Sequence, residues 1–299
     1  MSPLTRWPTG LALAALSIAA LVSMGRAVPV PDRDERRGGV QIDLGDGVLM
    51  KFVHIQAGSF QMGSPEGQEG RGAEPLHDVE ITQPFMMGTF EVTQRQYRQL
   101  VGNNPSAFSA KGGFQAKVAG LDTEEFPVES VTYAEALKFC ERLSALPELK
   151  RLGLVADLPT EAEWEYACRA GTKTVFNFGS AMSPKDGNVR GGQPYGGAAP
   201  AKGLDRPTKV GGYKPNAWGL YDMHGNIEEW VKDWTGPYNV GDKKDPQGPA
   251  NGQSRQLRGG AWQLDPHYAR SASRDSVGPE ARNDIVGFRV ALRFSGRGR

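Results

Sequence analysis

The sequence predicts a loop-rich globular domain built from short strands and a few helices. The 299 residues include 39 Gly and 21 Pro, well above average usage, while aromatic residues remain plentiful at 9%. Strand-like alternation occurs near both ends of the chain, and three helix-start signatures lie between them. This mixture excludes a disordered chain and a helical bundle. The length allows one large domain or two ordinary ones, but we find no internal repeat and no domain boundary after residue 45.

The N-terminal segment, residues 1–27, is predicted to be a signal peptide. Arg6 precedes an apolar run at 11–22, and 25–27 (GRA) fits a cleavage site. The run is short for a membrane span, so an uncleaved anchor is the alternative. Residues 28–45 are predicted to be a linker, because the segment is charged and rich in proline. We therefore expect an exported protein, periplasmic or secreted, with no stable membrane insertion after cleavage.

Six stretches have strand patterns, either as alternating apolar and polar residues or as short apolar runs between turn residues. They are residues 49–55, 57–63, 79–82, 85–92, 255–262 and 286–293. The third and fourth are expected to form a hairpin or adjacent strands. The fifth contains a glycine break.

Three helix starts carry a capping box, in which a hydroxyl caps the third helical residue and that residue's side chain reaches back. They begin at Thr93, Thr132 and Thr160. The first helix is expected to stop near Gly102 and the third at Gly171, a suitable residue just beyond a helix end.

The chain contains two cysteines, Cys140 and Cys168, both in helical patterns. In an oxidising compartment they could form one disulfide. They could equally be small buried apolar residues. No cysteine follows residue 168.

The charges nearly balance, with 35 Lys and Arg against 34 Asp and Glu, which leaves a net charge of +1. A dedicated nucleic-acid-binding protein would show a basic excess or stripe. No nucleic-acid partner is therefore expected.

The stretch 219–234 is the densest in functional side chains. Gly225 and Asn226 predict a tight turn, because both tolerate positive φ. The turn would bring together the oxygens of four residues that suit Ca²⁺, with carboxylates from two and carbonyls from the others: Asp222, Gly225, Ile227 and Glu229. The alternative is a turn followed by a strand or short helix anchored by two tryptophans, Trp230 and Trp234.

Ordered motifs run along nearly the whole chain. They are AGSFQMG (57–63), EVT (91–93) with Tyr97, PVESVTYAEA (127–136), LPTEAEWEYA (158–167), PNAWGLYDMHGN (215–226), EW (229–230), RGGAW (258–262) and GFR (287–289). With these motifs the chain resembles the formylglycine-generating enzyme, or sulfatase-modifying factor, domain family. Wider relatives include pyoverdine-maturation and ergothioneine-synthase-type proteins. The resemblance implies one C-type-lectin-like α+β domain with little regular secondary structure, over residues 46–295.

The resemblance also implies metal sites. Family members bind calcium at the turn that matches Asp222, Gly225, Ile227 and Glu229, so structural calcium is expected here. A second family calcium site matches two residues, Asn188 and Val189, although its downstream acidic partner has no clean counterpart.

One departure from the family concerns its chemistry. Formylglycine-generating enzymes bind copper through two cysteines just after the segment matching 258–262. Here residues 263–270 read QLDPHYAR. Copper(I) prefers thiolate ligands, so no copper is expected, nor is sulfatase activation by this route.

Two hypotheses for function follow from the resemblance. In the first, the protein modifies or matures an exported peptide or protein, with oxidation as one candidate chemistry and a pocket formed by Trp262, His267, Tyr268, Arg270 and Arg274. His267 would be a general base, or an ordinary exposed histidine. The two arginines would bind an anionic group, or form ion pairs. The alternative is a non-catalytic module that binds a ligand or protein through polar residues of 263–284.

Overall fold

The computed structural model describes residues 39–296. The predicted signal peptide and the first part of the predicted linker lie outside these residues. Among the residues described, no helix is both long enough and apolar enough to cross a membrane.

The described chain contains three sheets and four α-helices. The strands are β1 Val40–Asp43, β2 Leu49–Ile55, β3 Gly58–Met62, β4 His77–Ile81, β5 Phe85–Gly88, β6 Leu154–Asp157, β7 Glu228–Trp234, β8 Arg255–Arg258, β9 Asp275–Val277, β10 Val286–Phe288 and β11 Ala291–Phe294. The helices are α1 Gln94–Val101, α2 Tyr133–Ser144, α3 Pro147–Leu152 and α4 Glu161–Arg169. Two short 3₁₀ helices cover Gln115–Val118 and Pro266–Ala269. The expected α+β fold with little regular secondary structure is confirmed.

The largest sheet has the strand order β1-β2-β5-β11-β6, and all its pairs are antiparallel. A second sheet has the order β10-β7-β8-β9, in which β10 and β7 run parallel. A hairpin of β3 and β4 forms the third sheet. The first sheet thus contains both the first two strands of the domain, β1 and β2, and its last strand, β11.

The hydrophobic core has two main parts, one on each face of the largest sheet. Leu292 packs in one part and its neighbour Ala291 in the other, because successive side chains on a strand point to opposite faces. Trp230 and Phe288 lie in the first part, and Trp164 lies in the second.

The predicted linker is wrong from Val40 onward. Residues Val40–Asp43 form β1, which pairs antiparallel with β2. Ile42 is fully buried in the core. The short alternation of this strand is hidden in the sequence by the charged, Pro-rich segment before it.

All three predicted capping boxes are present. The hydroxyls of Thr93, Thr132 and Thr160 accept from the backbone of the third helical residue, whose side chain bonds back to the cap. These contacts satisfy backbone N–H groups that have no partner inside the helix. Helix α1 ends at Gly102 in the left-handed region, as predicted.

The two cysteines are free thiols on opposite sides of the largest sheet. Cys140 of α2 packs in the first part of the core and Cys168 of α4 in the second. The disulfide alternative is therefore wrong in this structure. Burial raises the pKa of both thiols, that of Cys168 to about 12.

Candidate functional site

The central stretch forms the predicted turn followed by strand β7. Asp222, Gly225 and Asn226 all have positive φ, at 57°, 110° and 72°. A Cβ on Gly225 would lie 2.5 Å from the carbonyl oxygen of Asn188, so glycine is needed for close approach as well as for its φ. The backbone N–H of Asn226 donates to that same carbonyl at 2.8 Å. The turn is thereby joined to the long loop that contains Asn188.

The Asn226 side chain links three segments. Its Nδ2 donates to Glu91 Oε1 at 3.0 Å. Its Oδ1 accepts from Asn188 Nδ2 at 3.1 Å and from the Thr208 backbone N–H at 2.9 Å. These bonds hold Glu91 and Asn188 beside the turn.

The carboxylate of Glu229 is fully engaged in the core. It forms a buried ion pair with Arg289, with Nη2 2.7 Å from Oε1. Its other oxygen, Oε2, accepts from the indole N–H of Trp164 at 2.7 Å. Asp222, by contrast, uses only Oδ2, which accepts from the Gly211 N–H at 2.6 Å, while its buried Oδ1 has no partner.

The two carboxylates of the predicted calcium site therefore differ: both oxygens of Glu229 are bonded, whereas one oxygen of Asp222 is free. Within residues 39–296, no group of three or more His, Cys, Asp or Glu side chains is arranged to hold a metal ion. Burial raises the pKa of Asp222 to about 6, since a charge there is poorly solvated. An unpaired buried carboxylate oxygen is suited to a cation, whereas the carboxylate of Glu229 already has a guanidinium partner.

The residues of the second predicted calcium site point in different directions. Val189 is fully buried against apolar side chains such as Phe176 and Met182. The Asn188 side chain is buried with its Oδ1 unpaired, and its Nδ2 bonds Asn226 and the Arg206 carbonyl. Asn188 thus belongs structurally with the turn.

The side chains of the five predicted pocket residues contact different neighbours, although His267, Tyr268 and Arg270 lie close together. Trp262 is buried edge-on against Phe108, with ring centroids 5.2 Å apart. His267 and Tyr268 lie together, with ring centroids 4.0 Å apart, and Tyr268 is 39% exposed. Arg270 is buried in an ion pair with Glu74. For this arginine the ion-pair alternative describes the structure.

Arg274 lines a cavity of about 200 Å³ that the sequence did not predict. The cavity lies between the start of α4, the end of β7 and the following loop. Its titratable lining residues are His77, Glu161, Asp233, Tyr238, Asp242 and Arg274. The one residue that could have pointed to this cavity is Asp233. It is an acid at a buried position of β7, next to the exposed Lys232.

Bonds within the cavity wall fix Glu161 and Arg274. Arg274 Nε and Nη2 donate to the two carboxylate oxygens of Glu161 at 2.7 and 2.8 Å. The Arg274 guanidinium also lies 4.1 Å from the ring centroid of Tyr238. The ion pair of this arginine is with Glu161, and its charge acts on Asp233 only from a distance.

Asp233 and Asp242 form no salt bridge among the described residues. The Asp233 carboxylate accepts from the backbone N–H of Glu161 at 2.7 Å. Burial, and then the nearby Glu161 carboxylate, raise the pKa of Asp233 to about 7. Asp233 can therefore gain or lose a proton near neutral pH.

His77 offers one free ring nitrogen at the cavity. Its Nδ1 lies 2.8 Å from the Pro75 carbonyl oxygen. A carbonyl can only accept, so Nδ1 carries the hydrogen, and in the neutral ring Nε2 is left as an acceptor. The cavity thus combines an imidazole ring with two acids that form no salt bridge among the described residues.

Residues 46–294 match the sequence model of the sulfatase-modifying factor enzyme 1-like domain. The match spans most of the chain. The chain belongs to this family. The resemblance inferred from the motifs is thereby confirmed.

Relatives of this chain carry different names. It is 31% identical over 264 residues to serine/threonine-protein kinase pkn1 of Chlamydia pneumoniae, covering 82% of this chain but only 38% of the kinase. It is 27% identical to the formylglycine-generating enzyme of Mus musculus, covering 81% and 75% of the two chains. The solved structure of PvdO from Pseudomonas aeruginosa superposes with a TM-score of 0.67 at 28% identity, covering 85% of this chain and 98% of PvdO. These likenesses support a formylglycine-generating-enzyme-like or maturation role.

Proposed function

We propose that the protein is an exported maturation factor that binds a peptide or protein through the acidic cavity and acts on it without thiolate-bound copper. Family membership and the likeness to PvdO support the maturation role. Export rests on the apolar run at 11–22 and the cleavage pattern after it. The observation that carries the proposal is the cavity, where Asp233 and Asp242 face a space of about 200 Å³ without cationic partners.

The size and charge of the cavity favour one cationic side chain as its occupant. Pockets for drug-sized ligands measure about 300–1,000 Å³, so this cavity suits one residue of a larger substrate. Two unpaired carboxylates attract a Lys or Arg side chain. A cation there would also lower the pKa of Asp233 and favour its ionised form.

The role proposed for the cavity in that modification is general acid–base catalysis. Burial raises the pKa of Asp233 to about 7, and the imidazole of His77 lines the same cavity. The chain's thiols do not support copper binding after the RGGAW motif, because residues 263–270 contain no cysteine and both cysteines are buried elsewhere. Copper(I) sites need soft ligands.

The proposal is tested with the mature chain, expressed from residue 28, and fluorescent hexapeptides with a central Lys, Arg or Glu. We expect fluorescence anisotropy to detect binding of the Lys and Arg peptides but not of the Glu peptide. Asp233→Asn and Asp242→Asn should each weaken binding about tenfold, as expected for one charged hydrogen bond. Asp46→Asn, in the exposed turn between β1 and β2, is the control and should leave binding unchanged. Equal binding of the Lys and Glu peptides would contradict the proposal.

A binding module on the same fold is the second candidate, and the exposed His267–Tyr268 pair favours it. In that case Tyr268→Ala would abolish peptide binding and Asp233→Asn would not. Mass spectrometry of the peptides after incubation separates the two further. A maturation factor changes the peptide mass, whereas a binding module leaves it unchanged.

A further inference from the structure

We propose that the rings of Phe108, Phe114 and Trp262 form a binding site for a weakly hydrated organic cation, either a quaternary ammonium or a guanidinium group. In the unliganded protein the ammonium group of Lys117 fills this aromatic cage, and the ligand displaces it. None of the three rings lines the acidic cavity, so the proposal does not depend on the function proposed for that cavity.

The first observation is that the three rings converge on one point, the ammonium nitrogen of Lys117. This Nζ lies 5.7 Å from the ring centroid of Phe108, 5.1 Å from that of Phe114 and 5.7 Å from that of Trp262. A cation within about 6 Å of an aromatic centroid is attracted by the negative face of the ring. Several rings around one cation form the cage that proteins use to bind quaternary ammonium groups.

The distances are longer than a bare ammonium group needs. A nitrogen in contact with the centre of a ring face lies about 3.5–4.0 Å from it. The observed spacing of 5.1 to 5.7 Å leaves a gap of about 1.5 Å, which is the length of one carbon–nitrogen bond. A nitrogen that carries methyl groups, or a planar guanidinium, would fill this gap and contact the rings.

Phe108 and Trp262 form the fixed inner wall of the cage. Both are buried, and their rings meet edge-on with centroids 5.2 Å apart. The backbone N–H of Phe108 donates to Glu129 at 2.8 Å, and its carbonyl accepts from Gln94 at 3.1 Å. The backbone N–H of Trp262 donates to the carbonyl of Asn226 at 3.0 Å. The core therefore holds both rings in place, as a preorganised site requires.

Phe114 and Lys117 form the outer wall, which is open to solvent. Phe114 is 39% exposed, and its ring centroid lies 4.9 Å from that of Phe108. Lys117 is exposed and belongs to the short 3₁₀ helix that follows Phe114. Its side chain can therefore turn into solvent while the helix stays in place, which opens the cage to a ligand.

The hydration of the two cations favours the exchange. Within residues 39–296 the Lys117 ammonium contacts these rings and forms no salt bridge. When it leaves the cage, its three N–H groups are hydrated again. A guanidinium is more weakly hydrated than an ammonium, and a quaternary ammonium has no N–H to donate. Either ligand therefore loses less hydration on entering the cage than Lys117 regains on leaving it.

The test uses the chain expressed from residue 28 and four small probes at constant ionic strength. The probes are choline, its neutral isostere 3,3-dimethylbutan-1-ol, methylguanidinium and methylammonium, and binding is followed by tryptophan fluorescence. We expect choline or methylguanidinium to bind about tenfold more tightly than methylammonium and than the neutral isostere. The tighter of these two cations identifies the class of ligand.

Two substitutions place the ligand at the cage. Lys117→Gln removes the competing ammonium and should tighten binding of the preferred cation about fivefold, because more of the protein is competent to bind. Phe114→Leu removes the outer ring and should weaken binding about tenfold, whereas Phe114→Tyr keeps the ring and should preserve binding. Both positions are exposed, so the variants should unfold at the same temperature as the unsubstituted chain.

Lys111→Gln is the matched control, because Lys111 is an exposed lysine of the same loop. It removes the same charge as Lys117→Gln and should leave binding unchanged. An equal gain in affinity in both lysine variants would mean that only the net charge matters, and would overturn the proposal.

Three further results would also overturn it. Equal binding of choline and its neutral isostere would show an apolar groove rather than a cation site. Unchanged binding in Phe114→Leu would place the ligand elsewhere. No binding of either cation by Lys117→Gln would mean that the rings serve only to anchor Lys117.

Discussion

Glu165 and Glu91 are both fully buried glutamates, but their surroundings differ. Glu165 Oε1 accepts from the Gly63 N–H and from Arg169, each at 2.9 Å, and its Oε2 accepts from Arg258 at 2.6 Å. Glu91 has one hydrogen bond, from Asn226, and a second oxygen without a partner. Glu165 therefore has two guanidinium partners, whereas Glu91 has an amide and a neighbouring acid.

The difference shows that burial alone does not identify a functional carboxylate. The Glu165 cluster is structural, since Arg258 also donates to the carbonyls of Ser271 and Ala272 and so anchors the segment after the RGGAW motif. The Glu91 cluster lacks such compensation. Unneutralised groups of this kind concentrate at functional sites.

The largest effect on stability is expected when the guanidinium that neutralises Glu165 is removed. Arg258→Met leaves Glu165 Oε2 and several carbonyls without a donor. Breaking a buried pair on one side costs about 3–5 kcal/mol, and we expect that loss in the free energy of unfolding measured with urea.

Arg98→Met is the control for this comparison, because the Arg98–Glu124 pair is exposed, with 44% and 38% of the two side chains accessible. Exposed pairs contribute about 0–1 kcal/mol. If the two variants lost equal stability, the structural role assigned to the Glu165 cluster would be wrong.

A smaller effect is expected where a buried acid lacks a cation. Burial, and then the charge of Asp275, raise the pKa of Glu228 to about 8, from an ordinary value of 4.5. Between these values the folded state holds the proton more tightly than the unfolded state, so stability falls as the pH rises towards 8.

Glu228→Gln should therefore raise the melting temperature at pH 8 and change it little at pH 5. The expected gain in the free energy of unfolding at pH 8 is on the order of 1 kcal/mol or more. For a domain of this size, each kcal/mol raises the melting temperature by about 2–4 °C. Thermal unfolding at the two pH values measures it. A variant that is less stable at pH 8 would show that Glu228 is stabilised by a contact rather than strained by burial.

The smallest effect is expected for buried groups that carry no charge. Cys140 and Cys168 lie in apolar surroundings on opposite sides of the sheet. A reducing agent should leave the melting temperature unchanged, whereas breaking a native disulfide typically costs about 2–5 kcal/mol. Titration of the denatured protein without reductant should count two free thiols. A count of zero, which would indicate a disulfide, would contradict the structure.

Local features of the fold were predicted well from the sequence. The capping boxes at Thr93, Thr132 and Thr160 and the turn at Gly225 and Asn226 were all found. Each depends on contacts within about four residues, or on the backbone freedom of one residue. The short strand β1 was missed, because four residues give too little alternation to stand out beside a charged segment.

The site was predicted only in part. Asp222, Asn188 and Glu229 were singled out, but the engagement of Glu229 with Arg289 could not be inferred, since 60 residues separate them. The five pocket candidates were grouped because they are close in sequence. In the structure Arg270 reaches Glu74 and Arg274 reaches Glu161, at separations of 196 and 113 residues.

By itself, the sequence determined the family, the α+β fold, the helix caps and the central turn, because these depend on local chemistry and on ordered motifs. Only the tertiary structure decided which buried acids are neutralised. Charge compensation depends on distances across the whole fold, such as the 135 residues that separate Glu91 from Asn226. Chain order does not reveal these distances, so a glutamate paired with arginine and a glutamate left unpaired look alike in the sequence.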